Sequence, residues 1–158
     1  MRTAIVLTCA SLGFMACGPA PVARDDVRIR RQVSAYADTI ALDLRREGPS
    51  AWLRHFSRTP AFFMASDGHL LFPDIDSADA FVEDLARRVR SVDLEWGQIR
   101  VDPLSPTLAL LAAPFHEVVT DTGGAPISFD GYFTAVAERD ESGWTLRNAH
   151  WSLATGGD

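Results

Sequence analysis

No lysine occurs among the 158 residues; all fifteen basic residues are arginine. Without a lysine amine there is no Schiff base to a carbonyl or to pyridoxal phosphate, and no P-loop lysine to grip a nucleotide phosphate. Cysteine is scarce too. The two cysteines are Cys9 and Cys17, so the chain beyond Cys17 has neither thiol nor disulfide. That excludes cysteine catalysis and cysteine metal sites, and leaves stability to the core alone. The four histidines, His55, His69, His116 and His150, are scattered with no ligand spacing, so no metal site is expected. Excess positive charge is also missing. A net charge of −6 gives no electrostatic reason to seek nucleic acid or an anionic membrane surface. Nothing in the chain implies a cofactor.

No apolar run is long enough to span a bilayer. The longest near the start, Ala4–Ala16, has the length of an export-signal core and follows Arg2. It ends in Phe14-Met15-Ala16-Cys17. A small residue before cysteine resembles a bacterial lipobox, although Phe14 stands where leucine is usual. The expected division is a lipoprotein signal peptide over 1–16, a Pro-containing tether over 17–24 beginning at a lipidated Cys17, and one domain over 25–158. The expected location is export with a lipid anchor in the bacterial envelope; the alternative is a plain secretory signal and a soluble periplasmic or secreted protein. At 47% hydrophobic residues, the remainder suits one globular core.

Along that domain, Ile29, Val33, Tyr36, Ala37, Ile40 and Leu44 recur at three- and four-residue spacing, predicting a helix over Asp25–Glu47. Gly48 stops it and Pro49 opens a short second helix through Phe56. Asp67-Gly68 suits a two-residue turn between strands Ala61–Ala65 and His69–Phe72. Asp76 or Ser77 is the expected N-cap of a third helix reaching Arg90, and the acidic cluster Asp74, Asp76 and Asp79 reads as its cap and dipole complement. The period then becomes two: Val92, Leu94 and Trp96 alternate with Asp93 and Glu95, and the apolar phase flips after Gly97 to Ile99 and Val101, which predicts a bulge or bend. Asp102–Pro106 reads as a turn. Strands follow over Thr107–Thr120, Ile127–Arg139 and Gly143–Ala154. The fold class is α+β: antiparallel strands in meander order, strongly curved into a cone around helices, with an aromatic-lined cavity.

Two stretches carry a resemblance. Ser66–Leu85 is similar to a hairpin followed by a helix, and Phe129–Ser152 to two closing strands, of the nuclear transport factor 2-like superfamily and its SnoaL-like and ketosteroid-isomerase-like members. Gly131, Phe133, Thr134, Gly143, Trp144, His150 and Ser152 match the "G-x-F-T", Gly-Trp and "H-x-S" positions. The resemblance implies a cone that binds small molecules, or isomerises, cyclises, dehydrates or hydrolyses them. Ketosteroid isomerases use a Tyr and two Asp; Tyr36 is the loose counterpart of the Tyr, and no strand Asp matches.

The candidate site centres on Asn148, His150 and Ser152, which share one face of the last strand. His150, desolvated in an apolar pocket, would be a neutral imidazole able to act as ligand anchor or general base, against the competing reading of a buried structural histidine. Trp52, Phe62 and Phe81, with Tyr36, are the expected apolar and aromatic contacts; the competing role for aromatics of this kind is core packing. His116 and Glu117 point to opposite faces of one strand and cannot act as a pair; one of them facing the pocket competes with an exposed face or a dimer interface. Tyr132 and Thr134 face either the pocket or the outer sheet surface. His55 and His69 read as surface. The expected partner is a small apolar or amphipathic molecule, in a protein that dimerises. The readings set against binding are an enzyme using His150 as base, and a dimeric interaction module with no ligand.

Overall fold

A computed structural model describes residues 22–154. The proposed signal peptide, most of the tether and Cys17 lie outside the described residues. Helix α1 (Val22–Glu47) runs into a 3-10 turn (Gly48–Ala51) and the one-turn helix α2 (Trp52–His55). Strands β1 (Phe63–Ser66) and β2 (His69–Phe72) form the expected hairpin, and α3 (Ile75–Arg88) follows. Five strands complete the chain: β3 (Val89–Trp96), β4 (Arg100–Ser105), β5 (Leu108–Asp121), β6 (Pro126–Arg139) and β7 (Trp144–Leu153). The sheet order is β2-β1-β7-β6-β5-β3, with β4 also on β5. The sheet is curved and unclosed, and α1 packs against β3 and β4 on its inner side. No helix of the described residues is long and apolar enough to cross a membrane.

The stripe Ile29, Val33, Ala37, Ile40 and Leu44 is buried, as its spacing dictates. Trp96 fastens β3 to α1 by donating its indole N–H to the Ala37 carbonyl at 2.8 Å. The change of phase at Gly97 is a bulge: β3 and β4 both run antiparallel to β5, Trp96 opposite Phe115 and Arg100 opposite Ala112, so three residues face two. Glycine is required there by space, since a Cβ at Gly97 would sit 2.7 Å from Pro114 Cγ. The 102–106 stretch is not a turn throughout. Ordered pairing continues through Pro103 opposite Ala109, and the chain reverses only after Ser105.

At the hairpin, Asp67 (φ 46°) and Gly68 (φ 83°) both adopt positive φ, as a type I′ turn demands. The turn is tied to the sheet: Asp67 donates its N–H to the Trp151 carbonyl at 3.1 Å, and its carboxylate accepts the Leu153 N–H at 2.8 Å. Strand β1 joins β7 in parallel, because the chain returns from α2 in the same sense as the last strand. The N-cap of α3 is Asp74 rather than Asp76 or Ser77. Its carboxylate accepts the Ser77 N–H at 2.8 Å, and Ser77 closes a capping box.

Candidate functional site: an apolar cavity with one carboxyl group

Curvature of the sheet away from α3 leaves a cavity of about 260 Å³. Trp52 enters from α2, Met64 and Ser66 from β1, and Leu71 and Phe72 from β2. Helix α3 contributes Phe81, Val82 and Leu85. The sheet adds Val92 from β3, Phe115, Glu117 and Val119 from β5, Phe129 from β6, and Trp151 and Leu153 from β7. Two-residue alternation explains the strand contributions: Phe115, Glu117 and Val119 share one face of β5, as Trp151 and Leu153 share one face of β7.

The walls are built from interlocked rings. Trp151 meets Phe115 edge-on at 4.7 Å and 83°, and meets Trp52 edge-on at 5.7 Å and 90°. Trp52 stacks on Phe56, and Phe72 leans on Phe81. Phe115 can lie flat against the sheet because the residue opposite it in β6 is Gly131. A Cβ at Gly131 would fall 2.7 Å from the Phe115 ring and 2.3 Å from the Ser152 carbonyl oxygen.

Among the described residues Glu117 is the only charged one in this lining, and Ser66 brings its only hydroxyl. No side chain among the described residues pairs with Glu117, and burial pushes its carboxyl up from the usual range to about 7. A carboxylic acid near half-ionisation at neutral pH can donate a hydrogen bond, accept one, or pass a proton.

The expected polar row does not line the cavity. Asn148, His150 and Ser152 do lie together on one face of β7, but it is the outer one. Asn148 donates to the Ala61 carbonyl at 2.7 Å. His150, half-buried, sits opposite Thr134 and beside Ala65. Ser152 is exposed opposite Tyr132 in a shallow outer groove. The inward phase of β7 is its apolar one, Ala149, Trp151 and Leu153. A register shift between the Leu146 and Asn148 pairings lets Leu146, at the other parity, also point inward.

Of the expected aromatics, Trp52 and Phe81 reach the cavity. Phe62 does not; it is 2% exposed and packs behind Phe56, ring centroids 5.3 Å apart. Nor does Tyr36, whose hydroxyl donates to the His55 carbonyl at 3.0 Å and whose acidity is suppressed by burial. His55 is not a surface residue. It is 4% exposed, its Nε2 lies 3.0 Å from Asp43 Oδ2, and burial lowers its pKa against the opposing pull of Asp43. This pair ties α2 to α1 away from the cavity.

His116 and Glu117 point to opposite faces as their adjacency requires. His116 lies outside, its Nδ1 2.8 Å from Asp130 Oδ1, and Glu117 inside. Tyr132 is likewise exposed on the outer side, where it borders the groove with Ser152. Among the described residues no three His, Cys, Asp or Glu side chains converge as metal ligands.

No protein-family model matches this chain, and no curated protein matches it. Solved structures share its fold at low identity. A scytalone dehydratase candidate from Novosphingobium aromaticivorans superposes with a TM-score of 0.70 at 12% identity, over 82% of this chain and 85% of that one. A dehydratase candidate of the nuclear transport factor 2-like family from Streptomyces avermitilis gives 0.69 at 14% identity, over 82% and 99%. A nuclear transport factor 2-like superfamily protein from Salmonella enterica serovar Typhimurium gives 0.64 at 10% identity, over 87% and 96%. The fold is therefore the nuclear transport factor 2-like cone.

Proposed function

We propose that this nuclear transport factor 2-like cone is an exported, lipid-anchored protein that binds a small apolar or amphipathic molecule between its sheet and α3. One observation carries the reading: a cavity of about 260 Å³ whose lining is aliphatic and aromatic except for Glu117 and Ser66. Trp52 and Trp151 stand in its walls, so indole emission reports occupancy. Titration with a naphthalene-sized probe is expected to give saturable quenching, and Leu85→Trp, which fills the cavity from α3, to abolish it. Quenching that never saturates, or that survives Leu85→Trp, removes the reading. Anchoring rests on the Ala16-Cys17 pair after an apolar run. Fatty-acid labelling that is lost in Cys17→Ala is the expected result, and a soluble, unlabelled wild-type protein defeats it.

The enzyme reading is favoured by a different observation and with a different residue. His150 faces away from the cavity, whereas Glu117 has an acidity matched to neutral pH. Two fold neighbours are dehydratase candidates, and an elimination needs a group of this kind to take a proton. On this reading Glu117→Gln lowers turnover of a substrate roughly 10²–10⁴-fold, and the wild-type rate titrates near neutrality. Unchanged turnover in Glu117→Gln rejects it. The outer face of β6 and β7, with Tyr132 42% exposed, is the surface we assign to a homodimer; a monomer mass in sedimentation velocity rejects that assignment.

A further inference from the structure

The cavity holds an acid with no base. Among the described residues no arginine lines the cavity, and neither does any histidine. From β1, β2, α3, β3, β6 and β7 no titratable group faces Glu117 across the lining. An ionised carboxylate left alone among rings is unfavourable, and the favourable remedy is a counter-ion that brings its own hydrocarbon. The walls suit such a counter-ion. Trp151 stands perpendicular to both Phe115 and Trp52, so ring faces meet at corners beside the strand that carries Glu117. Ring faces attract the positively polarised carbons around an ammonium group.

We infer that the cavity selects apolar molecules carrying one basic nitrogen, with Glu117 as their counter-ion and the rings of Trp52, Phe115 and Trp151 holding the hydrocarbon. The inference rests on the binding reading above and names its ligand class. An ammonium ligand expels the proton of Glu117 to solvent; an amine arriving neutral takes that proton itself. Either route leaves one charge-assisted ion pair at a half-buried carboxylate. Hydrophobic anions such as fatty acids are rejected by the same carboxylate, and neutral hydrocarbons bind on area alone.

The test is a series that differs in charge alone: 1-naphthylmethylamine, 1-naphthylmethanol and 1-naphthoate, titrated calorimetrically against the wild-type protein and Glu117→Gln. The amine is expected to bind at least about tenfold more tightly than the alcohol at about pH 8, and the naphthoate most weakly. Because Glu117 titrates near about 7, the amine-to-alcohol ratio is expected to rise about tenfold from about pH 6 to about pH 8. In Glu117→Gln the ratio falls to near unity at both pH values, while alcohol binding shows the cavity intact. An alcohol that binds as well as the amine overturns the inference and leaves the binding reading standing. Failure of all three probes overturns both. Should Glu117→Gln bind nothing, the wild-type ratio decides: a rise with pH supports the inference, and a flat ratio overturns it.

Discussion

At Glu117 the physics of burial acts on a single titration. The folded pKa, about 7, lies above the value of 4.5 that the side chain has in solution. Between these values the folded chain holds more protons than the unfolded one, so stability falls as pH rises from about 4.5 to about 7 and levels off above. Replacing Glu117 by Leu is therefore expected to raise the thermal midpoint at about pH 8, by the equivalent of roughly 1–3 kcal/mol, with the gain shrinking towards about pH 5. Scanning calorimetry at the two pH values checks both sign and size. Gly131 gives the opposite kind of prediction. A methyl group there meets the Ser152 carbonyl and the Phe115 ring, so Gly131→Ala is expected to cost about 1–3 kcal/mol at any pH and to push Phe115 towards the cavity, weakening probe binding.

Elements decide which of these residues a reader of the sequence could place. Alternation put Asn148, His150 and Ser152 on one face of β7 and Ala149 and Trp151 on the other, and that partition is the one observed. Alternation has no sign, however, and does not say which face is inside. The polar row reads as a pocket lining, whereas a cone packed with rings draws its lining from the apolar phase, Trp151 and Leu153. The same argument applied to β5 would have chosen Glu117, since its face-mates are Phe115 and Val119. That signal was present in Pro114–Val119. Its meaning depends on what packs over the strand, and the α3 residues that do so, Phe81, Val82 and Leu85, lie more than thirty residues before Glu117. Helix α1, the hairpin and the bulge at Gly97 are legible because each leaves a local pattern in the chain, a helical apolar stripe, an Asp-Gly pair and a change of apolar phase. The contribution of Asp67 was not, because its carboxylate caps Leu153 at a separation of 86 residues. Asp67→Ala removes that bond and places alanine at φ 46°. It is expected to cost roughly 1–3 kcal/mol and to speed hydrogen exchange at Leu153 and across β2, next to the cavity. Protection at Leu153 that is unchanged in Asp67→Ala would refute this role for Asp67.

For the molecule as a whole, the described residues hold no cysteine, so cohesion comes from one continuous apolar core between sheet and helices. Thermal unfolding of residues 22–154 is accordingly expected to be unaffected by dithiothreitol, and a midpoint that shifts with reductant contradicts this. The curved sheet also leaves two open margins. One is β2, four residues long. The other is β3 followed by β4, broken at Gly97 by the three-against-two mismatch with β5. That break is what allows the sheet to bend around α1, and it has a second effect. A stray strand trying to extend this margin would find its hydrogen-bonding register lost at Gly97, a proline at Pro103 with no N–H to offer, and charges at Asp93, Glu95, Arg100 and Asp102. The residue that shapes the cone also guards its seam against fibre growth.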